Sequence, residues 1–314
     1  MKKRIVVACL MLAILVGAFA LRLIDVYGTY LFDALICILS VVCALEFSKL
    51  LNQQNRPASV IASGIFPCLI FAGHTICFAL GLNLYLYATI QLSILLASFL
   101  ITTLVYIFVK TKKQDENDLE QTSRFKFSCR VGLSSFLSFI YPTLFLLALM
   151  LLNRIDVLTE ITSFEGNFGW VALVLTFLIP VITDTFAMFG GMLFKGPKLC
   201  PKVSPKKTIS GAVAAVVLTS AVCGASFFLF NLFPFFANGF AELGIQFWHF
   251  IILGFLGSIV CQTGDLFESY IKRKAGVKDS SNLIPGHGGF LDRFDSHIFN
   301  APFVLLFFIL IVLI

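Results

Sequence analysis

Long apolar runs separated by shorter polar stretches dominate the chain. Nine runs approach the roughly 20 largely apolar residues that a spanning helix needs: Ile5–Leu23, Tyr30–Leu50, Val60–Gly81, Leu84–Val109, Val131–Leu152, Phe168–Phe194, Ile209–Phe236, Phe247–Tyr270 and His297–Ile314. None alternates with a period of two, so nothing suggests a barrel. Backbone amides in hydrocarbon must find partners within their own segment. The pattern therefore predicts an all-α polytopic membrane protein. Residues 1–165 would carry about five spans, and residues 166–314 a C-terminal region holding the chemistry.

Composition excludes a water-soluble globular domain. Of 314 residues, 59% are hydrophobic and 13% charged, against roughly 45–50% and about 25% in soluble domains. Charge then orients the chain. With Lys2, Lys3 and Arg4 in the cytoplasm and nine spans threaded, 21 of the 23 Lys and Arg residues fall on the cytoplasmic side. Only Arg22 and Arg154 lie opposite, as the positive-inside rule expects. The N-terminus is predicted inside and the C-terminus outside. Ala18-Phe19-Ala20 resembles a signal cleavage site, but the first apolar run exceeds the usual signal core, which favours retention. The nine cysteines are scattered without a CxxC pair and read as packing residues.

The polar connections differ in character. Lys110–Arg130 reads as a solvated link, and Asn153–Asn167 is acidic without evident chemical pattern. Phe194–Thr208 is rich in Lys, Pro and Gly, Asp265–Ser296 is long, charged and Gly-containing, and both are predicted on the cytoplasmic side. Connections of that length are usually functional or disordered.

Carboxylates at membrane depth come next. Asp184 sits near the middle of the sixth run, where a charge costs about 2.5–3.5 kcal/mol on insertion scales. It should face a protein interior or a watery cavity. Asp33 and Glu46 lie nearer the ends of their run and are expected to reach water. Asp292 and Asp295, three apart, share a helix face. Facing Asp265, they would repel unless cations intervened, and Mg²⁺ is held by one or two carboxylates plus substrate phosphates. A surface ion cluster with Arg293 is the plainer alternative. Gly286-His287-Gly288-Gly289 would let backbone N–H groups approach a phosphate. Lys206 and Lys207 precede a helix that Thr208 could cap, at an end that attracts anions. Together these features describe phosphoryl or nucleotidyl transfer. His74 reads as a packed or hydrogen-bonded histidine, His249 as an interfacial one, and His297 as a neighbour of the motif.

The run from Ser269 to Asp295, SYIKRKAGVKDSSNLIPGHGGFLDRFD, closely resembles the signature of phosphatidate cytidylyltransferases. Its parts are Ser269, Lys272-Arg273, Lys278-Asp279, Pro285-Gly286-His287-Gly288-Gly289 and Asp292-Arg293-Phe294-Asp295. Ser204-Pro205-Lys206-Lys207-Thr208 resembles the family's second motif, and Asp184-Thr185 its intramembrane Asp. Two departures stand out: Ser210 occupies the place of a Glu, and Met188 and Met192 replace a Tyr and an Arg. The resemblance implies transfer from CTP to phosphatidic acid, giving CDP-diacylglycerol and pyrophosphate. It implies Mg²⁺, as one or two divalent ions, held by Asp265 and Asp292 with Asp295 and Asp184 assisting. Lys272, Arg273 and His287 would join Asp265 and Asp292 in catalysis. Ser204, Lys206, Lys207, Thr208, Ser269, Lys278, Asp279, Gly288, Gly289 and Arg293 would bind substrate. It further implies a homodimer in the inner (plasma) membrane, active on the cytoplasmic side among membrane lipids, with no nucleic-acid partner. A transporter, for which intramembrane Asp residues also speak, and an enzyme acting on another lipid phosphate are the rival readings.

Overall fold

The computed structural model describes residues 13, 16–20, 26–82, 84–109, 119–158, 168–284 and 288–313. In chain order they form α1 (Val26–Gln53), α2 (Val60–Ala79), α3 (Leu84–Val109), α4 (Leu119–Phe139), a wide turn (Ile140–Leu144), α5 (Phe145–Asn153) and α6 (Ile155–Leu158). Then come α7 (Phe168–Phe194), β1 (Lys198–Cys200), β2 (Ser204–Thr208), α8 (Ile209–Phe230), α9 (Pro234–Glu242), α10 (Phe247–Lys274) and α11 (Leu291–Leu313). Among the described residues, eight helices are long and apolar enough to cross a membrane. The protein is an all-α polytopic membrane protein. Most of the predicted run Ile5–Leu23 lies outside the described residues.

Several boundaries move for local reasons. The run predicted to continue to Phe236 stops at Phe230, and Pro234 opens the short helix α9, a position where its missing N–H is harmless. The last helix starts at Leu291, not His297, because an acidic first turn suits a helix N-terminus. The link predicted over Lys110–Arg130 is helical from Leu119 onward. That helix kinks at Tyr141 (φ −109°, ψ 113°), since the residue before a proline avoids helical conformation. Phe194–Thr208, read as a loop, contains an antiparallel hairpin pairing Lys198 with Thr208 and Cys200 with Ser204.

Residues 1–147 with 274–292 form one compact unit, and residues 148–273 with 293–314 another. In the first, α1 packs on α2, and α3 on α4. Polar groups in these spans bond one another: Ser59 N–H donates to Ser135 Oγ (2.7 Å), and the Ser63 and Ser138 hydroxyls meet at 2.5 Å. His74 is buried with Nδ1 3.1 Å from the Tyr87 hydroxyl, as expected of a packed, bonded histidine. Such pairing offsets the desolvation of polar groups in hydrocarbon. Asp33 and Glu46 do not reach water: they are 2% and 3% exposed.

In the second unit α7 packs along α8. Asn300 Nδ2 donates to Thr176 O (2.8 Å), and Phe168 meets Phe308 edge to face at 5.1 Å, fastening α11 to α7. Gly264 lets α10 approach α11 closely, since a Cβ there would lie 2.9 Å from the Asp295 carbonyl. The seemingly featureless acidic connection supplies a cap: Asp156 accepts from the N–H groups of Phe168 (2.8 Å) and Gly169 (2.9 Å) at the start of α7. A helix start leaves such donors without intrahelical partners.

Candidate active site

The second unit gathers opposite charges from α7, β2, α10 and α11. Lys207, on β2, forms an ion pair with Asp265 of α10, each side chain 23% exposed. Ser269, one turn on, donates to Asp265 Oδ1 at 3.3 Å. Asp184 is exposed on α7 and lies in the electrostatic field of Asp295, Asp265, Lys207 and Arg293. Two of those neighbours are carboxylates and two are cations, so Asp184 belongs to a cluster of mixed charge. Asp295 also lies in the field of Asp265 and Lys272.

Local structure places these groups. A two-stranded ribbon is marginal alone, and this one is braced at both ends. Arg273 Nε donates to Val203 O in its turn (3.3 Å), and Ile209 N–H to Pro197 O at its base (3.0 Å). Thr208 caps α8 by accepting from Gly211 N–H at 3.2 Å, as its position before an apolar run predicts. Ser210, where the resembled motif has Glu, donates to Lys195 O, and its oxygen lies 3.2 Å from Thr208 Oγ1. The replacement thus ties the hairpin base to the helix cap. Met188 and Met192 are exposed on α7. Lys206 is exposed and Ser204 half-buried on β2.

Glu268 escaped the sequence reading. It is fully buried on α10 and paired with Lys272 at 3.2 Å. The signal was present: Asp265, Glu268 and Lys272 are spaced i, i+3 and i+7, which puts them on one helix face. Lys272, predicted to steady phosphate, is thus already tied to a carboxylate.

The first unit contains a second carboxylate pair, wrapped by the motif loop. Asp292 Oδ2 accepts from Ser280 N–H (2.9 Å), Ser280 Oγ (2.9 Å) and Gly289 N–H (2.7 Å). Glu46, from α1, accepts from Ser280 Oγ, Ser281 Oγ, Phe290 N–H and Leu291 N–H at 2.5–3.2 Å. The two glycines are explained by these carboxylates. Gly288 has φ +84°, and a Cβ there would lie 2.6 Å from Asp292 Oδ2. At Gly289 a Cβ would lie 2.5 and 2.7 Å from the Glu46 oxygens. Lys278 and Asp279 are exposed on this loop, and His287 lies outside the described residues.

The donor chemistry fits a hard divalent cation, since Asp184, Asp265 and Asp295 offer carboxylate oxygens and Mg²⁺ needs only one or two of them beside phosphates. Among the described residues no three His, Cys, Asp or Glu side chains converge on a common metal position.

The sequence aligns with those of known proteins. A phosphatidate cytidylyltransferase of Rickettsia felis is 45% identical over 150 residues, covering 47% of this chain and 61% of that protein. Another, of Rickettsia prowazekii, is 40% identical over 173 residues, covering 54% and 73%. One of Helicobacter pylori is 41% identical over 135 residues, covering 43% and 46%. The chain thus matches between about half and three quarters of the length of these relatives. Residues 2–311 match the Cytidylyltransferase family, and the chain belongs to that family.

Proposed function

We propose that this protein transfers a cytidylyl group from CTP to phosphatidic acid, giving CDP-diacylglycerol and pyrophosphate. A phosphate oxygen of the lipid bonds to the α-phosphorus of CTP, and the bond from that phosphorus to the bridging oxygen breaks as pyrophosphate leaves. The lipid phosphate already carries negative charge, so neutralisation matters more than a strong base. The observation that carries the reading is the Lys207–Asp265 ion pair, with Asp184, Asp295 and Arg293 in the same field. Cations and carboxylates so interleaved suit a substrate that is itself polyanionic and arrives with metal.

Asp265, Asp184 and Asp295 would hold Mg²⁺, and the family resemblance assigns Asp292 to the same role. When bound, the ion would supply charge neutralisation at the transferring phosphorus. Lys207, paired with Asp265 here, would hold substrate phosphate, with Lys206 and Arg273 adding charge nearby. The glycine-rich segment acts through the loop that it shapes. A homodimer in the inner membrane, working on the cytoplasmic face, completes the reading.

The test is product formation by purified protein in detergent–lipid micelles with labelled CTP and phosphatidic acid, in Mg²⁺ or in EDTA. Label is expected in the lipid extract only with both substrates, and EDTA should abolish it. A folded sample that labels no phosphatidic acid but labels another lipid phosphate would move the acceptor. One that labels no lipid at all would overturn the reaction.

A further inference from the structure

Glu46 belongs to a helix that carries none of the signature residues, yet it makes the densest hydrogen-bonded contact with the motif loop. Its carboxylate is 3% exposed. Oε2 accepts from Leu291 N–H at 2.8 Å and Ser280 Oγ at 3.2 Å; Oε1 accepts from Ser281 Oγ at 2.5 Å and Phe290 N–H at 3.2 Å. An ionised carboxylate has about four lone-pair sites; Ser281, Phe290 and Leu291 each donate to it, and the single Ser280 hydroxyl proton is shared with Asp292 Oδ2. A buried charge is tolerated only when satisfied in this way.

The donors come from both ends of the loop, Ser280 and Ser281 before the turn and Phe290 and Leu291 after it, so one side chain clamps both ends. Ser280 and the Gly289–Leu291 segment are also what fixes Asp292, whose Oδ2 accepts from Ser280 and Gly289. The rotamer of Asp292 therefore depends on Ser280 and Gly289, whose chain neighbours Ser281 and Phe290 are held by Glu46. Gly289 is required because its missing side chain leaves room for the Glu46 oxygens.

We propose that Glu46 is a positioning residue for the transfer reaction, anchoring Ser280–Ser281 and Phe290–Leu291 so that Asp292 is presented in one orientation. The proposal rests on the reaction proposed above for the role of Asp292, but the anchor itself can be read without activity. Hydrogen–deuterium exchange would be measured on the full chain in micelles, for wild type, E46Q and E46D, beside CTP- and Mg²⁺-dependent kinetics. Glu46→Gln keeps size and one acceptor oxygen but turns an NH₂ group toward donors. It should raise exchange in peptides covering 280–291 while other helices keep their protection. Turnover should fall about 10- to 100-fold, as for residues that orient metal-binding groups, and the Mg²⁺ concentration for half-maximal rate should rise. Glu46→Asp, which keeps the charge, should recover part of both.

Unchanged exchange across 280–291 in E46Q overturns the anchor. A fall in rate with KM for CTP and the Mg²⁺ requirement unmoved also overturns positioning, because it signals only fewer folded molecules. If E46Q cannot be recovered folded, Ser281→Ala reads the same contact, and undisturbed exchange there overturns it. Wild-type protein that transfers no cytidylyl group overturns the reaction, while the exchange measurement still decides whether Glu46 holds the loop.

Discussion

Both compact units of this protein bury or half-bury acidic side chains, but they satisfy them in opposite ways. In the first unit Glu46 and Asp292 are surrounded by N–H and O–H donors from their own chain. In the second, Asp265 and Glu268 are paired with Lys207 and Lys272. Fixed dipoles are part of the backbone and cannot leave, so carboxylates held by them set geometry. A lysine at the end of four methylenes can swing away, so its partner can exchange one cation for another. The contrast separates carboxylates whose orientation is fixed by neighbouring N–H and O–H groups from carboxylates whose lysine partner can be exchanged for another cation.

Breaking the exchangeable pair should have the largest effect. Asp265→Asn keeps shape but removes charge, and transfer should fall about 10²–10³-fold, the loss typical of a preorganised electrostatic group. The folded protein should still be extractable, and steady-state rates would show the loss. Lys207→Met should follow, with a fall of about 10- to 100-fold, comparable with losing a hydrogen bond to a charged group. The same change at exposed Lys206 should cost less, and equal losses at the two positions would erase the distinction between them.

Disturbing the fixed carboxylates should act through geometry. Gly289→Ala puts a methyl group against the Glu46 oxygens, an overpacking expected to cost about 1–3 kcal/mol. Thermal unfolding in micelles should register it, with increased exchange over 280–291. The smallest effect belongs to Asp156→Ala, which removes the cap on α7. It should lower stability by about 1 kcal/mol and leave KM for CTP unchanged.

Much of the architecture was legible beforehand. Phe168–Phe194 and Leu84–Val109 appear with the predicted bounds, because an uninterrupted apolar run in lipid has no alternative to a helix. Thr208 was readable as a cap from its place before such a run. Less legible were elements whose stability is not local. The Lys198–Thr208 hairpin has no alternating apolar pattern and depends on contacts from Arg273 and Ile209. Glu46 looked like an interfacial carboxylate because its donors lie 234 to 245 residues away in sequence, a separation that no window of helical periodicity can span.

The sequence by itself determined that this chain lives in a membrane as helices, and it marked the acidic, basic and glycine-rich positions near which chemistry would gather. Hydrophobic run length and the spacing of short motifs are properties of neighbouring residues, so they survive without a fold. Only the tertiary structure decided how each charge is satisfied: Lys207 on Asp265, Lys272 on Glu268, and Gly288 and Gly289 around the carboxylates of Asp292 and Glu46. The physical reason is desolvation, which forces every buried charge to find a partner but leaves the choice to whichever side chains and amides packing brings within reach.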